Sequence, residues 1–262
     1  MDLVSLIGIL IRIPFCINLV LQVVEESKRR DMFQSTKPLD RKSFLGELDS
    51  NIAKRAMLTH PFYQAWNEGA LTLDILAEYS KQYYAQVKAF PGYVGAVISQ
   101  CEDVKTQQML LENLQEELEG PNNHPELWLR FGESVGADRE AVKTADLLPS
   151  TVESVEILRD LSSSSDYRVG ISALYAYESQ IPAVAETKRL GLQDLYGIKQ
   201  TRALEFFSVH EVADLSHRQV EKSILGRNCL DTEIQCEVLD SASKAAEALW
   251  IFLDGMHAEY IA

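Results

Sequence analysis

The chain has 262 residues, 46% of them hydrophobic, enough for one large domain with a core of its own. Its 25 basic and 39 acidic side chains leave a net charge of −14, which argues against a general affinity for nucleic acid, a polyanion bound mainly through lysine and arginine. Cys16, Cys101, Cys229 and Cys236 form no CxxC pair, so neither a thiolate zinc site nor a disulfide framework is indicated, and a reducing cytoplasm fits.

The amino terminus stands apart. Leu3 to Val24 is almost wholly apolar and is followed by Lys28, Arg29 and Arg30. Its length suffices for a membrane span, but Arg12, Pro14 and Asn18 make it a poor one. A signal peptide carries its positive charge ahead of the apolar run, and here only Asp2 precedes it. An anchor, an extra helix and a translated upstream segment with the start at Met32 all remain open. The division expected is a hydrophobic extension over 1–41 and a helical domain over 42–262.

Beyond that extension the periodicity is helical. Thr72 is a good N-cap before Leu73–Asp74–Ile75–Leu76, and apolar residues recur at helical spacing towards Ile98, with Pro91 expected to kink the run. Further helices are expected around 103–118, 125–135, 151–161, 167–190, 201–226 and 232–254. Gly120–Pro121–Asn122–Asn123 breaks the run before it and redirects the chain. No segment keeps a period of two, so the fold class is all-α: a bundle of long helices with functional groups pointing inward.

The segment carrying most chemistry is Phe206 to Ile224. At about 100° per residue, His210, Asp214 and His217 fall within one arc of roughly 60°. Phe206, Ala213, Val220 and Ile224 lie on or beside that arc, whereas Glu211, Arg218 and Lys222 lie opposite. Burying an unpaired carboxylate costs several kcal/mol, so that face requires a cation or a full set of hydrogen bonds. A third histidine, His124, follows Glu117 by two helical turns, across a glycine and a proline that must distort the helix. Glu178, among Tyr175, Tyr177 and apolar neighbours, is either a buried hydrogen-bond acceptor or a ligand. Together Glu117, His124, Glu178, His210, Asp214 and His217 offer three carboxylates and three imidazoles, a donor set that suits iron or manganese. Two divalent cations would bring +4 against −3, leaving room for an oxide or hydroxide. A ferritin-like centre would show two Glu-x-x-His pairs, and none is present.

At these residues the sequence resembles the heme-oxygenase-like diiron oxidases, within them the group around the Chlamydia protein associating with death domains, and more distantly the TenA and PqqC branches. The match runs through Thr59-His-Pro-Phe-Tyr63-Gln-Ala-Trp66, Lys88-Ala-Phe-Pro91, Gly120-Pro-Asn-Asn-His124, Ala173 to Pro182, and His210-Glu-x-Ala-Asp214-x-x-His217. It covers nearly everything after about residue 45. The resemblance implies a seven-helix bundle and a cofactor of two iron ions, or manganese with iron, held by the six residues just named. It also implies a 4-aminobenzoate synthase that supplies a folate precursor from its own side chains, with dioxygen and a reductant as co-substrates. By position Tyr63 would give the ring and Lys188 the nitrogen. Taken alone, Tyr63 reads as a core aromatic beside Phe62 and Trp66, and Lys188 as a solvated helix-end lysine. Tyr83, Tyr84, Tyr175 and Tyr177 could equally line the pocket.

Two other functions compete. One is a metal-dependent oxidase of a free small molecule, such as an amino acid or fatty acid; the other is a non-enzymatic interaction module. A TenA-type nucleophilic cysteine cannot be placed among these four, and a full ligand set argues against the metal-free PqqC chemistry. The partners expected are small molecules and dioxygen, with homo-oligomerisation left open and a membrane only if residues 3–24 are an anchor. A chain beginning at Met32 is expected to fold and remain soluble, as read by circular dichroism and gel filtration; aggregation would make the removed segment part of the fold.

Overall fold

The computed structural model describes residues 37–261, so the apolar stretch Leu3 to Val24 and Met32 lie outside the described residues. Those residues form helices and no strand: α1 Arg41–Ala53, α2 Pro61–Asn67, α3 Leu73–Gln100, α4 Val104–Leu118, α5 His124–Ser134, α6 Arg139–Lys143, α7 Pro149–Ser162, α8 Tyr167–Glu178, α9 Ile181–Asp194, α10 Thr201–Asn228 and α11 Thr232–Tyr260. A short 3-10 turn, Met57–Thr59, precedes α2.

Local chemistry sets the helix starts. Asp40, Thr72, Asp103, Asn123, Asp138, Asp166 and Asp231 each accept a hydrogen bond from a backbone N–H of the turn that follows; such a cap contributes about 1 kcal/mol. Pro61, Pro125, Pro149 and Pro182 stand in the first turn, where a missing N–H costs nothing. Pro91 lies inside α3 without ending it.

The single helix expected over 167–190 is two, α8 and α9, separated at Ser179–Gln180. Pro182 has no N–H for the carbonyl of Glu178 and its ring would clash with it, so the chain breaks one turn earlier.

The core sits around α11, whose Val238, Ala242, Ala245, Ala246, Leu249, Phe252, Leu253 and Met256 are fully buried. That helix packs most extensively on α8 and α7, while α10 packs on α9, α5 and α8, and α3 on α5, α7, α4 and α8. Thus α4, α5, α8 and α10 converge on one flank, with α3 behind them.

Close approach of α8 to α3 depends on Gly170. A Cβ there would lie 2.7 Å from Val97 Cγ2 and 3.1 Å from the Ser162 carbonyl oxygen. Gly170→Ala should therefore destabilise the fold by about 1–3 kcal/mol in denaturant titration. Val97→Ala should recover part of that loss in the double variant, because it removes the clashing methyl group; strict additivity of the two changes would refute this account.

Candidate metal centre

The break after α4 builds half the site. Gly120 takes φ of +71°, a conformation open to glycine at little cost, and Asn123 caps α5. The chain reverses there, so Glu117 and His124 are not two turns apart on one distorted helix, as their spacing suggested. They face each other from the end of α4 and the start of α5, with His124 Nδ1 2.7 Å from Glu117 Oε2. His210, on α10, brings its ring centroid within 4.3 Å of that of His124. His210 Nδ1 lies 2.6 Å from the Phe206 carbonyl oxygen. A carbonyl only accepts, so Nδ1 carries the proton and Nε2 is left as the free donor of a lone pair.

One turn on, Asp214 and His217 meet Glu178 from the end of α8. His217 Nδ1 is 3.3 Å from Glu178 Oε1 and 3.4 Å from Asp214 Oδ1. Asn113 Nδ2 donates to Glu178 Oε1 at 2.9 Å. The ligand atoms of Glu117, His124 and His210 all lie within 4.8 Å of one another, as do those of Glu178, Asp214 and His217. All six residues nominated from the sequence therefore sit in two adjacent triads, every one of them buried. Between the triads is a cavity of about 20 Å³, walled also by Tyr177, Phe206, Val87 and Phe90.

Electrostatics strain this cluster. Burial pushes Glu117 up to about 8 and Asp214 up to about 6. Burial likewise pulls His124 down to about 4 and lowers His210. For His217 burial is outweighed by the contacts to Asp214 and Glu178, which raise its pKa to about 10. Four buried atoms here have no aligned hydrogen-bond partner: His124 Nδ1, Glu178 Oε2, Asp214 Oδ2 and His217 Nδ1. A cation held by each triad would give all four a partner, and the mixed carboxylate–imidazole set suits iron or manganese.

A second buried polar group lies behind the first. Tyr63 on α2 is 1% exposed, and its hydroxyl is 2.9 Å from that of Tyr79 on α3. Lys188 on α9 is not solvated: it is 4% exposed, donates to the Tyr79 hydroxyl at 2.5 Å, and places Nζ 4.5 Å from the Tyr63 ring centroid. Tyr79 stacks on Tyr83 with ring centroids 5.5 Å apart, and the Tyr83 and Tyr177 hydroxyls are 2.6 Å apart. Phenols thus run without a gap from the wall of the cavity to Tyr63. Of the other tyrosines considered, Tyr84 packs on Leu129, Ala137 and Val142, and Tyr175 donates to Asp49 at 2.6 Å.

Sequence reasoning missed Tyr79, Asn113 and Glu221. Tyr79 stands four residues before Tyr83, and Glu221 four after His217, so helical spacing carried a signal for both.

An all-α bundle enclosing paired carboxylate–imidazole triads is the architecture of a heme-oxygenase-like redox protein. Residues 77–250 match the family described as iron-containing redox enzymes, and the chain belongs to that family. It is 41% identical to the 4-aminobenzoate synthase of Nitrosomonas europaea over 229 residues, covering 84% of this chain and 93% of that protein. It is 35% identical to the 4-aminobenzoate synthase of Chlamydia muridarum, covering 81% and 89%. Among solved structures, a TenA homolog from Pseudomonas syringae superposes with a TM-score of 0.70 at 18% identity, covering 86% of this chain and 95% of that one, a likeness of fold.

Burial alone holds the Lys188 pKa well below that of a free lysine. The folded chain therefore binds fewer protons than the unfolded one between that lowered value and the ordinary 10.5. The cost of burying Lys188 is greatest at low pH and vanishes above the ordinary value. Lys188→Met should raise the melting temperature, more at pH 6 than at pH 9. A gain independent of pH would show that Lys188 is not buried as a titrating amine.

Proposed function

We propose that this chain is a metal-dependent oxygenase that makes 4-aminobenzoate, taking the ring from Tyr63 and the nitrogen from Lys188. Glu117, His124, Glu178, His210, Asp214 and His217 would hold two divalent ions, iron with iron or iron with manganese. When bound, these ions supply the activation of dioxygen with electrons from a reductant. The names of the two relatives support the product. The observation that carries the self-derived source is spatial. The cavity of about 20 Å³ lined by Glu117, His124, Glu178, His210 and Asp214 has room for about a water or two as the side chains stand. Tyr63 and Lys188, by contrast, are sealed against each other in the core.

The formulas agree. Tyrosine already carries a ring with one carbon para to its hydroxyl, so the product requires scission of the Cα–Cβ bond, oxidation of Cβ to a carboxylate, and replacement of oxygen by nitrogen. Burial raises the Tyr63 pKa well above that of a free phenol, so its hydroxyl stays protonated and its oxidation must move a proton with the electron. The Tyr63–Tyr79 hydrogen bond offers that proton an acceptor; beyond Tyr79 the phenols continue towards the cavity by ring stacking on Tyr83, itself hydrogen-bonded to Tyr177, a route for the electron rather than the proton. Burial favours the neutral form of the Lys188 amine, whose lone pair would attack the oxidised ring; the ring oxygen would leave as water, and hydrolysis of the resulting imine at Cε would break the Cε–Nζ bond and leave an aldehyde on the spent lysine. The three described cysteines, Cys101, Cys229 and Cys236, are free, which supports a reducing compartment and the cytoplasm as the place of action. Among the described residues no helix is long and apolar enough to cross a membrane.

Protein labelled in its tyrosine rings, loaded with iron and manganese and given dioxygen and a reductant, should release labelled 4-aminobenzoate at no more than about one molecule per chain. The spent chain should lose mass in the peptide that contains Tyr63. Tyr63→Phe should fold normally and make no product. Unlabelled product, or many turnovers per chain, would establish oxidation of a free substrate instead.

A further inference from the structure

Glu221 lies on α10, one turn beyond His217 and two beyond Asp214, on the same face of the helix. It is 1% exposed, and neither carboxyl oxygen has a hydrogen-bond partner among the described residues. Its side chain is within hydrogen-bonding reach of Glu178, whose Oε2 is likewise unpartnered. Two carboxyl groups meet inside the core; Asn113 and His217 reach the Glu178 carboxylate, whereas no N–H of the described residues donates to either oxygen of Glu221. The neighbouring cations are engaged elsewhere: Lys222 with Asp49, and Arg218 with the Ser179 carbonyl. An isolated buried carboxylate is among the costliest groups a core can hold, and it calls for a cation.

The charge count points the same way. The six residues of the two triads bring −3 against the +4 of two divalent ions, and a seventh, acidic one makes the buried cluster neutral. Four carboxylates around two ions is also the complement that other helical bundles use for such centres.

We propose that Glu221 is a fourth carboxylate ligand of the centre, serving the ion held by Glu178, Asp214 and His217. This rests on the reading of the two triads as a two-metal site. The ion at the first triad, with Glu117, His124 and His210, does not depend on Glu221, so the two positions become inequivalent in affinity when Glu221 is changed.

The test is anaerobic titration of the full chain and of Glu221→Gln with Mn(II), read by bound metal after gel filtration and by electron paramagnetic resonance. The wild-type chain should bind two ions and give the spectrum of a spin-coupled pair. Glu221→Gln keeps shape and hydrogen bonding but loses the charge; it should keep one ion, bind the second at least tenfold more weakly, and show the six-line spectrum of isolated Mn(II). Its metal-free form should melt no lower than the wild type, since a buried acid has been removed, while the rise in melting temperature on adding Mn(II) should shrink. If Glu221 instead donates a proton to Glu178 as a neutral acid, the glutamine amide replaces that donor and both ions bind as in the wild type, which overturns the proposal. Glu221→Asp, which keeps the charge but retracts it by one methylene, gives a second reading: it too should weaken the second ion, and wild-type affinity there would overturn the proposal. A wild-type chain that binds no Mn(II) or Fe(II) overturns the two-metal reading itself, a result distinct from loss of Glu221's role alone.

Discussion

The constraint on which the rest of the molecule depends is desolvation. Seven ionisable side chains, from Glu117 to Glu221, occupy one flank of an otherwise apolar bundle and are all nearly excluded from water. Water can neither hydrate them nor screen them there, so each must be neutralised, paired or held on a cation. The depressed histidines and the raised carboxyls Glu117 and Asp214 express the same strain in protons. A bundle answers it by mass: the aromatic and aliphatic packing around α11 supplies the stability that the polar flank withdraws.

The second buried polar group obeys the same rule differently. Lys188 has no carboxylate partner among its contacts; it is surrounded by the faces of Tyr63, Trp66, Tyr79 and Tyr83 and by the Tyr79 hydroxyl. Aromatic faces attract a cation weakly, by about 0.5–2 kcal/mol each, well short of full hydration. The site therefore tolerates an amine better than an ammonium. The same shielding keeps the tyrosines protonated, so one apolar environment tunes both partners of the proposed reaction in opposite senses of charge.

Backbone punctuation connects these groups. The left-handed turn at Gly120 swings His124 back onto Glu117, and the break before Pro182 ends α8 immediately after Glu178 while starting α9, which carries Lys188. Between them Tyr177 and Glu178 are consecutive on α8, one facing the phenols and the other facing His217. A continuous helix over 167–190 would leave Lys188 elsewhere.

The helical class, most caps and the inward arc of His210, Asp214 and His217 were legible in the sequence, because helix capping and a 3.6-residue period are local rules that act within a few residues. Glu117, His124 and Glu178 could be nominated by residue type and company, and Tyr63 and Lys188 by resemblance alone. From His210 to Glu221 the buried positions of α10 are themselves ionisable, so there the inward face was marked by its apolar ends, Phe206 and Ile224, rather than by an unbroken apolar stripe. Only the tertiary structure decided that Glu117 and His124 oppose each other across a turn, that Lys188 is buried among phenols rather than solvated, and that Glu221 meets Glu178. Each is a contact between different helices, set by how long elements pack and where the chain reverses; helical spacing can place a residue such as Glu221 on the face of His217 but not say which residue of another helix that face meets.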